Sequence, residues 1–259
     1  MRRSATPARL LATTTTNRDE MQLTFAQDRI LAVMAHPDDA ELLCAGTLAR
    51  ARKDGAAIAI CVMCDGGKGI ASKHVDAGSL GAKRQTEARE AATLLGADLF
   101  WFAAPDGELF DNVASRHKLI EIYRKFRPTL VITHSTQDYH SDHRAASTLA
   151  EAASWFAASR GHVTESPTLE HSPALWFADT IEMVGSFVAE LYIDISLHVE
   201  VKRRMLMCHQ SQLSRGRDAG FTPLADLMYR QAAARGAQAG VAAAEVFRQH
   251  HAFKRLRAL

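Results

Sequence analysis

Two polar clusters, about 100 residues apart in the chain, contain the residue types that bind divalent metal ions. The first cluster consists of His36, Asp38 and Asp39. The second consists of Asp138, His140, Asp142 and His143. A catalytic zinc site takes three protein ligands and keeps one position for water, and two imidazoles with one carboxylate supply such a set. The remaining groups can act as the base for an attacking water and as an acid or oxyanion partner.

Each cluster follows an apolar run that is typical of a buried parallel strand. These runs are residues 30–34 and 129–133, and a helical pattern follows each cluster. The alternation of strands and helices predicts a Rossmann-like, doubly wound α/β fold with a mostly parallel sheet and helices on both faces. In common strand orders of such sheets, strands one and four are neighbours at the switch point. We therefore expect the two clusters to meet in one crevice.

The remaining pattern completes this α/β prediction. Further strands are predicted at about 57–63, 98–102, 174–178 and 190–195. Helices are predicted at about 42–53, 82–95, 145–158 and 197–212, with another that Asn112 caps and that ends before Pro128. Gly55 and Gly96 are predicted helix stops. Residues 65–69 are glycine-rich but lack phosphate-binding spacings, so we predict a substrate-facing loop there.

Composition favours one globular domain that does not bind nucleic acid. The chain has 259 residues, 47% of them hydrophobic, and its net charge is +2 without a long basic stripe. No apolar run approaches the roughly 20 residues that span a bilayer. We expect a disordered leader at residues 1–20, without a secretory apolar region, and a single domain at 21–259.

Cysteine usage indicates a reducing compartment, and we expect the protein in the cytoplasm. Four cysteines are too few for a disulfide framework in a chain of this length. Cys61 and Cys64 form a C-x-x-C within an apolar run. That position predicts buried, inert thiols rather than a redox or zinc pair.

Together, segments 35–41 and 138–143 resemble the LmbE/PIG-L family of zinc-dependent N-acetylglucosamine deacetylases. Further matches are Gly46 to Ala49, Asp65 and Gly66, Arg84, Glu87 and Ala88, Leu95 to Ala97, and His209 to Gln212. Residues 244–247 are similar to the end of the bacillithiol-biosynthesis branch. The resemblance covers roughly residues 31–247 and is weakest between 160 and 200.

This resemblance implies a role for each member of the clusters. The implied metal ligands are His36, Asp39 and His143. Asp38 would be the general base and His140 the acid or oxyanion partner. Asp142 is expected to orient an imidazole, and Arg84 to hold a polar or anionic part of the substrate. Zinc is the expected metal, although Fe²⁺ or another divalent ion fits the same ligands.

The implied reaction is hydrolysis of the N-acetyl group of an N-acetylglucosamine-type sugar or glycoconjugate. The substrate would be a small molecule. The resemblance also implies that the enzyme forms a homo-oligomer. Alternatives are an amidase of a thiol conjugate and a deacetylase of an antibiotic intermediate. A non-catalytic Rossmann-like binding module and a 2-His-1-carboxylate iron oxygenase are further alternatives. The loops around the site decide among these substrates.

Other polar residues have structural interpretations. We expect His134 to be a wall or packing residue, and His209 to sit within a helix as a structural hydrogen-bond partner or substrate contact. Glu41 and Glu245 are predicted to be structural. His250 and His251 are predicted to be solvated.

Overall fold

Seven strands form one sheet in a computed structural model that describes residues 24–70, 76–183, 187–217 and 222–252. The predicted leader lies outside these residues. The strands are β1 (Arg29–Met34), β2 (Ala57–Cys64), β3 (Asp98–Ala104), β4 (Leu130–Thr133), β5 (Ala174–Ala178), β6 (Leu191–Asp194) and β7 (Ala244–Gln249). The helices are α1 (Asp39–Leu43), α2 (Ala45–Asp54), α3 (Ala77–Leu95), α4 (Val113–Phe126), α5 (Ser141–Phe156), α6 (Val199–Leu206), α7 (Gln210–Leu213) and α8 (Leu224–Ala239).

The strand order is β3-β2-β1-β4-β5-β7-β6. Strands β1 to β5 pair in parallel, and β7 runs antiparallel to both of its neighbours. The chain leaves β1 in one direction across the sheet and returns to the other side of β1 at β4, which creates a topological switch point between these two strands. The predicted α/β fold and the predicted adjacency of strands one and four are confirmed.

Both faces of the sheet are buried because helices cover both. Ile30, Ala32 and Met34 of β1 face a core shared with α1, α2, α3, α6 and α8. Leu31 and Val33 face the opposite core, to which α4 and α5 contribute. Alternate residues of a strand point to opposite faces, so an uninterrupted apolar strand needs cover on both sides. This explains why the central strands have no polar alternation.

Several element boundaries differ from the predictions. The first predicted helix is divided at Cys44 into α1 and α2, and α5 begins at Ser141, so that Asp142 and His143 lie in its first turn. The predicted helix at 197–212 is also divided, which places His209 before α7 rather than within a helix. Strand β7 lies in a tail whose sequence suggested no strand. Its pairing with β5 and β6 stabilises a segment whose local pattern is weak.

The predicted helix cap at Asn112 and the predicted helix ends at Gly55 and Gly96 are confirmed. The Asn112 side chain accepts a hydrogen bond from the backbone N–H of Ser115 at the start of α4. Gly55 and Gly96 end α2 and α3 with positive φ angles of 110° and 70°. Glycine adopts this backbone conformation without a Cβ clash. None of the described helices combines the length and the apolar character needed to cross a membrane.

A buried ion pair ties the C-terminal strand to the helices beneath the polar clusters. The Glu245 carboxylate accepts hydrogen bonds from the backbone N–H groups of Gly46 and Thr47, at 2.9 and 2.7 Å, and from the Lys202 ammonium. Lys202 also donates to the carbonyl oxygen of Leu42 at 2.9 Å. Both side chains of the pair are almost fully buried. The structural role predicted for Glu245 follows directly from these contacts.

Replacing Glu245 with alanine is expected to destabilise the fold by about 3–5 kcal/mol, because it leaves the Lys202 ammonium buried without its counter-charge. The double variant Lys202→Met, Glu245→Gln should lose less, since no charge is left unpaired and the amide oxygen still accepts a hydrogen bond. Urea unfolding measures both. The control is Glu200→Ala, which breaks an exposed pair with Arg203 and should not change the midpoint. Equal losses in the single and double variants would contradict the argument.

Candidate active site

The two polar clusters lie together at the carboxyl ends of β1 and β4. These strands pair in register from Ile30 opposite Leu130 to Val33 opposite Thr133, so the residues that follow each strand emerge side by side. His36 lies in the loop after β1, and Asp39 begins α1. His143 lies in the first turn of α5, which begins one residue after His140. The fold therefore brings residues about 100 positions apart into one crevice, as expected.

Three donor atoms form a nearly equilateral triangle. Nδ1 of His36 lies 3.3 Å from Nε2 of His143 and 3.3 Å from Oδ2 of Asp39. The third side, between His143 Nε2 and Asp39 Oδ2, is 3.4 Å. Zinc bonds to nitrogen and oxygen of about 2.0–2.1 Å give tetrahedral edges of about 3.3–3.4 Å. The donors thus fit a small divalent ion without rearrangement.

Two further triads of possible ligands each share two residues with this triangle. One replaces Asp39 with His140, and the other replaces His36 with His134. His134 is fully buried, and its Nε2 accepts a hydrogen bond from the backbone N–H of Ala35 at 2.9 Å. That bond uses the lone pair that a metal would need. The geometry agrees with the wall role predicted for His134, whose ring stacks on that of His143 at 3.9 Å.

Each histidine of the triangle has a carboxylate at its other ring nitrogen. Oδ2 of Asp142 lies 3.2 Å from Nε2 of His36 and accepts the backbone N–H of Gly107 at 2.6 Å. Oδ1 of Asp138 lies 3.0 Å from Nδ1 of His143 and accepts the backbone N–H of His140 at 3.0 Å. Such carboxylates fix the tautomer and orientation of a ligating imidazole. Asp142 was predicted in this kind of role, whereas Asp138 was given none because no spacing rule identifies it.

The charge around the triangle is strongly negative. Burial alone would lower the pKa of His36, but the carboxylates of Asp142 and Asp39 outweigh it and raise this pKa to about 10. Burial alone would raise the pKa of Asp39, but the charges of His143 and His134 hold it well below its usual range. A protonated His36 here compensates the carboxylates that a divalent cation would otherwise neutralise.

Asp38 lies beside the triangle in a strained backbone conformation. Its φ angle is 107°, in the left-handed region that residues other than glycine rarely adopt. Arg84 holds this loop: its guanidinium donates to the Pro37 carbonyl oxygen, to Oδ2 of Asp38 at 3.1 Å and to the Gly66 carbonyl oxygen at 3.2 Å. Burial raises the pKa of Asp38 to about 6, and the Arg84 charge opposes that shift. The guanidinium that was predicted to hold substrate is therefore also engaged with the predicted base.

His140 caps the N-terminus of α5. Its Nδ1 accepts a hydrogen bond from the backbone N–H of Asp142 at 3.2 Å, so the proton of the neutral ring is on Nε2. Burial, together with the charges of His36 and His143, lowers the pKa of His140. The ring is partly exposed and lines the cavity described below. A neutral imidazole with its N–H at Nε2 is suited to donate to an oxyanion or a leaving group.

A cavity of about 590 Å³ opens onto these residues. The polar part of its lining, called the polar wall below, includes Lys68 and Gly69 of the glycine-rich turn, in agreement with the predicted substrate-facing loop. The apolar part, called the apolar wall, consists of Leu42, Ile181, Leu224 and Leu227.

The polar wall also contains Asp106, a residue that the sequence analysis missed. Its carboxylate accepts the backbone N–H groups of Gly66 and Lys68 at 2.7 and 3.1 Å. Asp106 follows β3 directly, at the same edge of the sheet as the two polar clusters. Its place after a strand end is the signal that could have identified it.

Two other histidines differ from their predicted settings. His209 lies just before α7 rather than within a helix, is fully buried 3.4 Å from Glu41, and does not line the cavity. Of its two predicted roles, the structural one agrees with this position and the substrate contact does not. Nε2 of His250 lies 3.0 Å from Glu151, and its ring contacts Phe177, so the prediction of a solvated His250 is wrong. His251 is largely exposed, as predicted. Strand β7 carries His250 back onto α5, a contact that only the tertiary fold creates.

Known proteins resemble this chain in sequence and in fold. Residues 31–154 match the family described as "PIG-L: GlcNAc-PI de-N-acetylase". The chain is 27% identical over 193 residues to a diacetylchitobiose deacetylase of Thermococcus kodakarensis, covering 71% of this chain and 70% of the relative. It is 26% identical over 235 residues to a 4-oxalmesaconate hydratase of Pseudomonas putida, covering 83% and 91%. The structure of an N,N'-diacetylchitobiose deacetylase from Pyrococcus horikoshii has the same fold, with a TM-score of 0.76, 24% identity and coverage of 86% and 84%.

Replacing His143 with alanine is expected to abolish stoichiometric binding of zinc, because it removes one corner of the donor triangle. Asp138→Asn should weaken zinc binding by about 10- to 100-fold, the usual effect of removing a carboxylate behind a ligating imidazole. Metal analysis after dialysis measures both effects. His117→Ala, an exposed histidine on α4, is the control and should bind zinc normally. Full zinc occupancy in His143→Ala would refute the ligand set.

Proposed function

Because the chain carries a PIG-L family domain, we propose that it hydrolyses the N-acetyl group of an N-acetylglucosamine-type sugar or glycoconjugate in a metal-dependent reaction. The observation that carries this proposal is the triangle of donor atoms with edges of 3.3–3.4 Å beside the buried carboxylate of Asp38. The proposed ligands are His36, Asp39 and His143. Zinc is the proposed ion, since two imidazoles and one carboxylate make a common catalytic zinc site.

A divalent ion held there would polarise the acetamide carbonyl group and lower the pKa of water. Asp38 accepts the proton of the attacking water as a carbon–oxygen bond forms at the carbonyl carbon. Burial supports this role, since it raises the pKa of Asp38 to about 6, close to that of an effective base near neutral pH. His140 donates a hydrogen bond from its Nε2–H to the oxyanion or to the leaving nitrogen, and the proton that Asp38 has taken from the water passes to that nitrogen. The carbon–nitrogen bond then breaks, and acetate and a free amine are released.

Two walls of opposite character suit a sugar that carries a substituent. Sugar hydroxyl groups can bond to the polar wall, whereas the apolar wall offers nothing to a hydroxyl group. The wall of Leu42, Ile181, Leu224 and Leu227 favours a glycoconjugate over the free monosaccharide. Thiol conjugates and antibiotic intermediates belong to the same chemical class and are candidate substrates.

The hydratase relative gives a second candidate function. It overlaps more of this chain, 83%, than the diacetylchitobiose deacetylase does, 71%. Addition of water to an unsaturated carboxylate also needs a base, and Lys68 and Arg84, which pair with Glu108 and Asp38, are cations in the cavity lining that attract a carboxylate substrate. A screen of N-acetylated glycosides for acetate release, run beside unsaturated dicarboxylates for hydration, separates the two. Hydration without acetate release from any glycoside would overturn the deacetylase proposal.

The compartment and the assembly are also proposals. All four cysteines are free, three of them buried, which suits a reducing cytoplasm. The family resemblance implies a homo-oligomer, and light scattering of the purified chain measures the assembly.

Asp38→Asn should leave zinc bound but reduce kcat by about 10²- to 10⁴-fold, the range expected when a general base is lost. Acetate release under saturating substrate, together with metal analysis, tests this expectation. Asp98→Asn removes an exposed carboxylate at the start of β3 and serves as the matched control. Near-normal turnover by Asp38→Asn would assign the base elsewhere.

Arg84→Lys is expected to lower kcat by about 10- to 100-fold with little change in KM, because lysine cannot hold Asp38, Pro37 and Gly66 at once. Steady-state kinetics measures the two constants separately. The control is Arg89→Lys, an exposed position on the same helix. A rise in KM at unchanged kcat would instead assign Arg84 to substrate binding alone.

A further inference from the structure

A thiol lies against the far side of His36, and the proposed reaction does not use it. Cys64 is the last residue of β2, is fully buried, and donates its backbone N–H to the Ala35 carbonyl oxygen at 2.7 Å. Its Sγ, a ring nitrogen of His36 and a carboxylate oxygen of Asp142 all lie within 4.8 Å of one another. Thiolate, imidazole and carboxylate are all metal ligands, and the thiolate makes this second set softer than the first.

His36 stands between the two sets of ligands. Its Nδ1 faces Asp39 and His143, each at 3.3 Å, whereas its Nε2 faces Asp142 at 3.2 Å. A neutral imidazole has one lone pair, so it gives one nitrogen at a time to a metal ion. An ion bound on the Nε2 side must therefore compete with an ion bound on the Nδ1 side.

We propose that Cys64, Asp142 and Nε2 of His36 form a second metal site, which takes soft divalent ions such as cadmium and excess zinc and competes with the catalytic ion for His36. On binding, the sulfur–metal bond replaces the S–H bond, and the thiol proton leaves to solvent. In the metal-free protein, whose His36 ring is protonated at both nitrogens, the Nε2 proton also leaves to solvent as the nitrogen–metal bond forms. The proton on Nδ1 stays, so Nδ1 cannot ligate with Asp39 and His143. Occupation of this thiol site is therefore inhibitory.

The residues around Cys64 determine how a metal ion reaches the thiol and how closely the ligands surround it. His36 lines the cavity whereas Cys64 does not, so an ion reaches the thiol past the imidazole. Separations of up to 4.8 Å exceed the edges of a zinc polyhedron, so the ligands must close around the ion. Asp142 is held by the backbone N–H of Gly107 at 2.6 Å, so the movement must come from the side chains of Cys64 and His36. Cys61, on the same strand and also fully buried, does not belong to the cluster.

Cadmium titration of the metal-free full chain tests whether the site exists. Because Cys208 is partly exposed, every protein in the titration carries Cys208→Ser, which prevents cadmium from binding to that thiol. The expected result is an ultraviolet thiolate-to-cadmium charge-transfer band in this parent protein and in the control Cys61→Ser, and loss of the band in Cys64→Ser. Persistence of the band in Cys64→Ser, or its loss in Cys61→Ser, would overturn the proposal.

A second measurement uses no variant at Cys64, so it remains valid even if Cys64→Ser misfolds. X-ray absorption of the cadmium-loaded parent should show a sulfur atom in the cadmium coordination shell, and a shell of nitrogen and oxygen alone overturns the site.

The inhibitory consequence rests on the proposed function. For the active enzyme, Cys64→Ser should raise the zinc concentration at half-inhibition by at least about tenfold, and an unchanged value refutes the competition. Absence of acetate release from every substrate would count against the proposed function but leave the cadmium results interpretable.

Discussion

The parallel pairing of β1 with β4 places the chemistry of this chain. The two strands run in register, and each leads through a loop into a helix. His36 and Asp39, which follow β1, therefore meet His143 in the first turn of α5, which follows β4. The neighbouring strands contribute the surroundings: Cys64 ends β2, and Asp106 follows β3. Except for Arg84 on α3, the functional groups of the site therefore depend on four strands that end at one edge of a twisted sheet.

Negative charge is the second constraint on this site. Asp39, Asp142 and Asp138 are buried around the two histidines, and buried carboxylates need a compensating cation or hydrogen-bond donors. Backbone N–H groups of Gly107 and His140 supply part of that compensation. The raised pKa of His36 indicates that a positive charge is favoured at the centre of the cluster. A divalent ion meets the same requirement, which is why charge and donor geometry support the same proposal.

Arg84 and Asp38 illustrate how the fold can maintain a strained base. The left-handed φ of Asp38 costs free energy on the order of 1–3 kcal/mol, and hydrogen bonds from Arg84 to both Asp38 and the Pro37 carbonyl oxygen offset it. Helix α3 holds a second segment as well, since Glu87, one turn beyond Arg84, accepts the backbone N–H and hydroxyl of Ser211 at 2.8 and 2.6 Å. One helix thus joins the loop after β1 to the segment before α8.

The sequence by itself determined what depends on local chemistry. Apolar strands followed by polar clusters predicted the α/β fold, the neighbouring first and fourth strands, and the metal-binding residue types, and Gly55, Gly96 and Asn112 marked helix ends correctly. Tertiary structure decided what depends on distant contacts. The hold of Arg84 on Asp38, the strand β7 and the position of Cys64 behind His36 arise between segments that are far apart in the chain. Sequence periodicity records which face of an element is buried, but it does not record which side chain of another element lies against it.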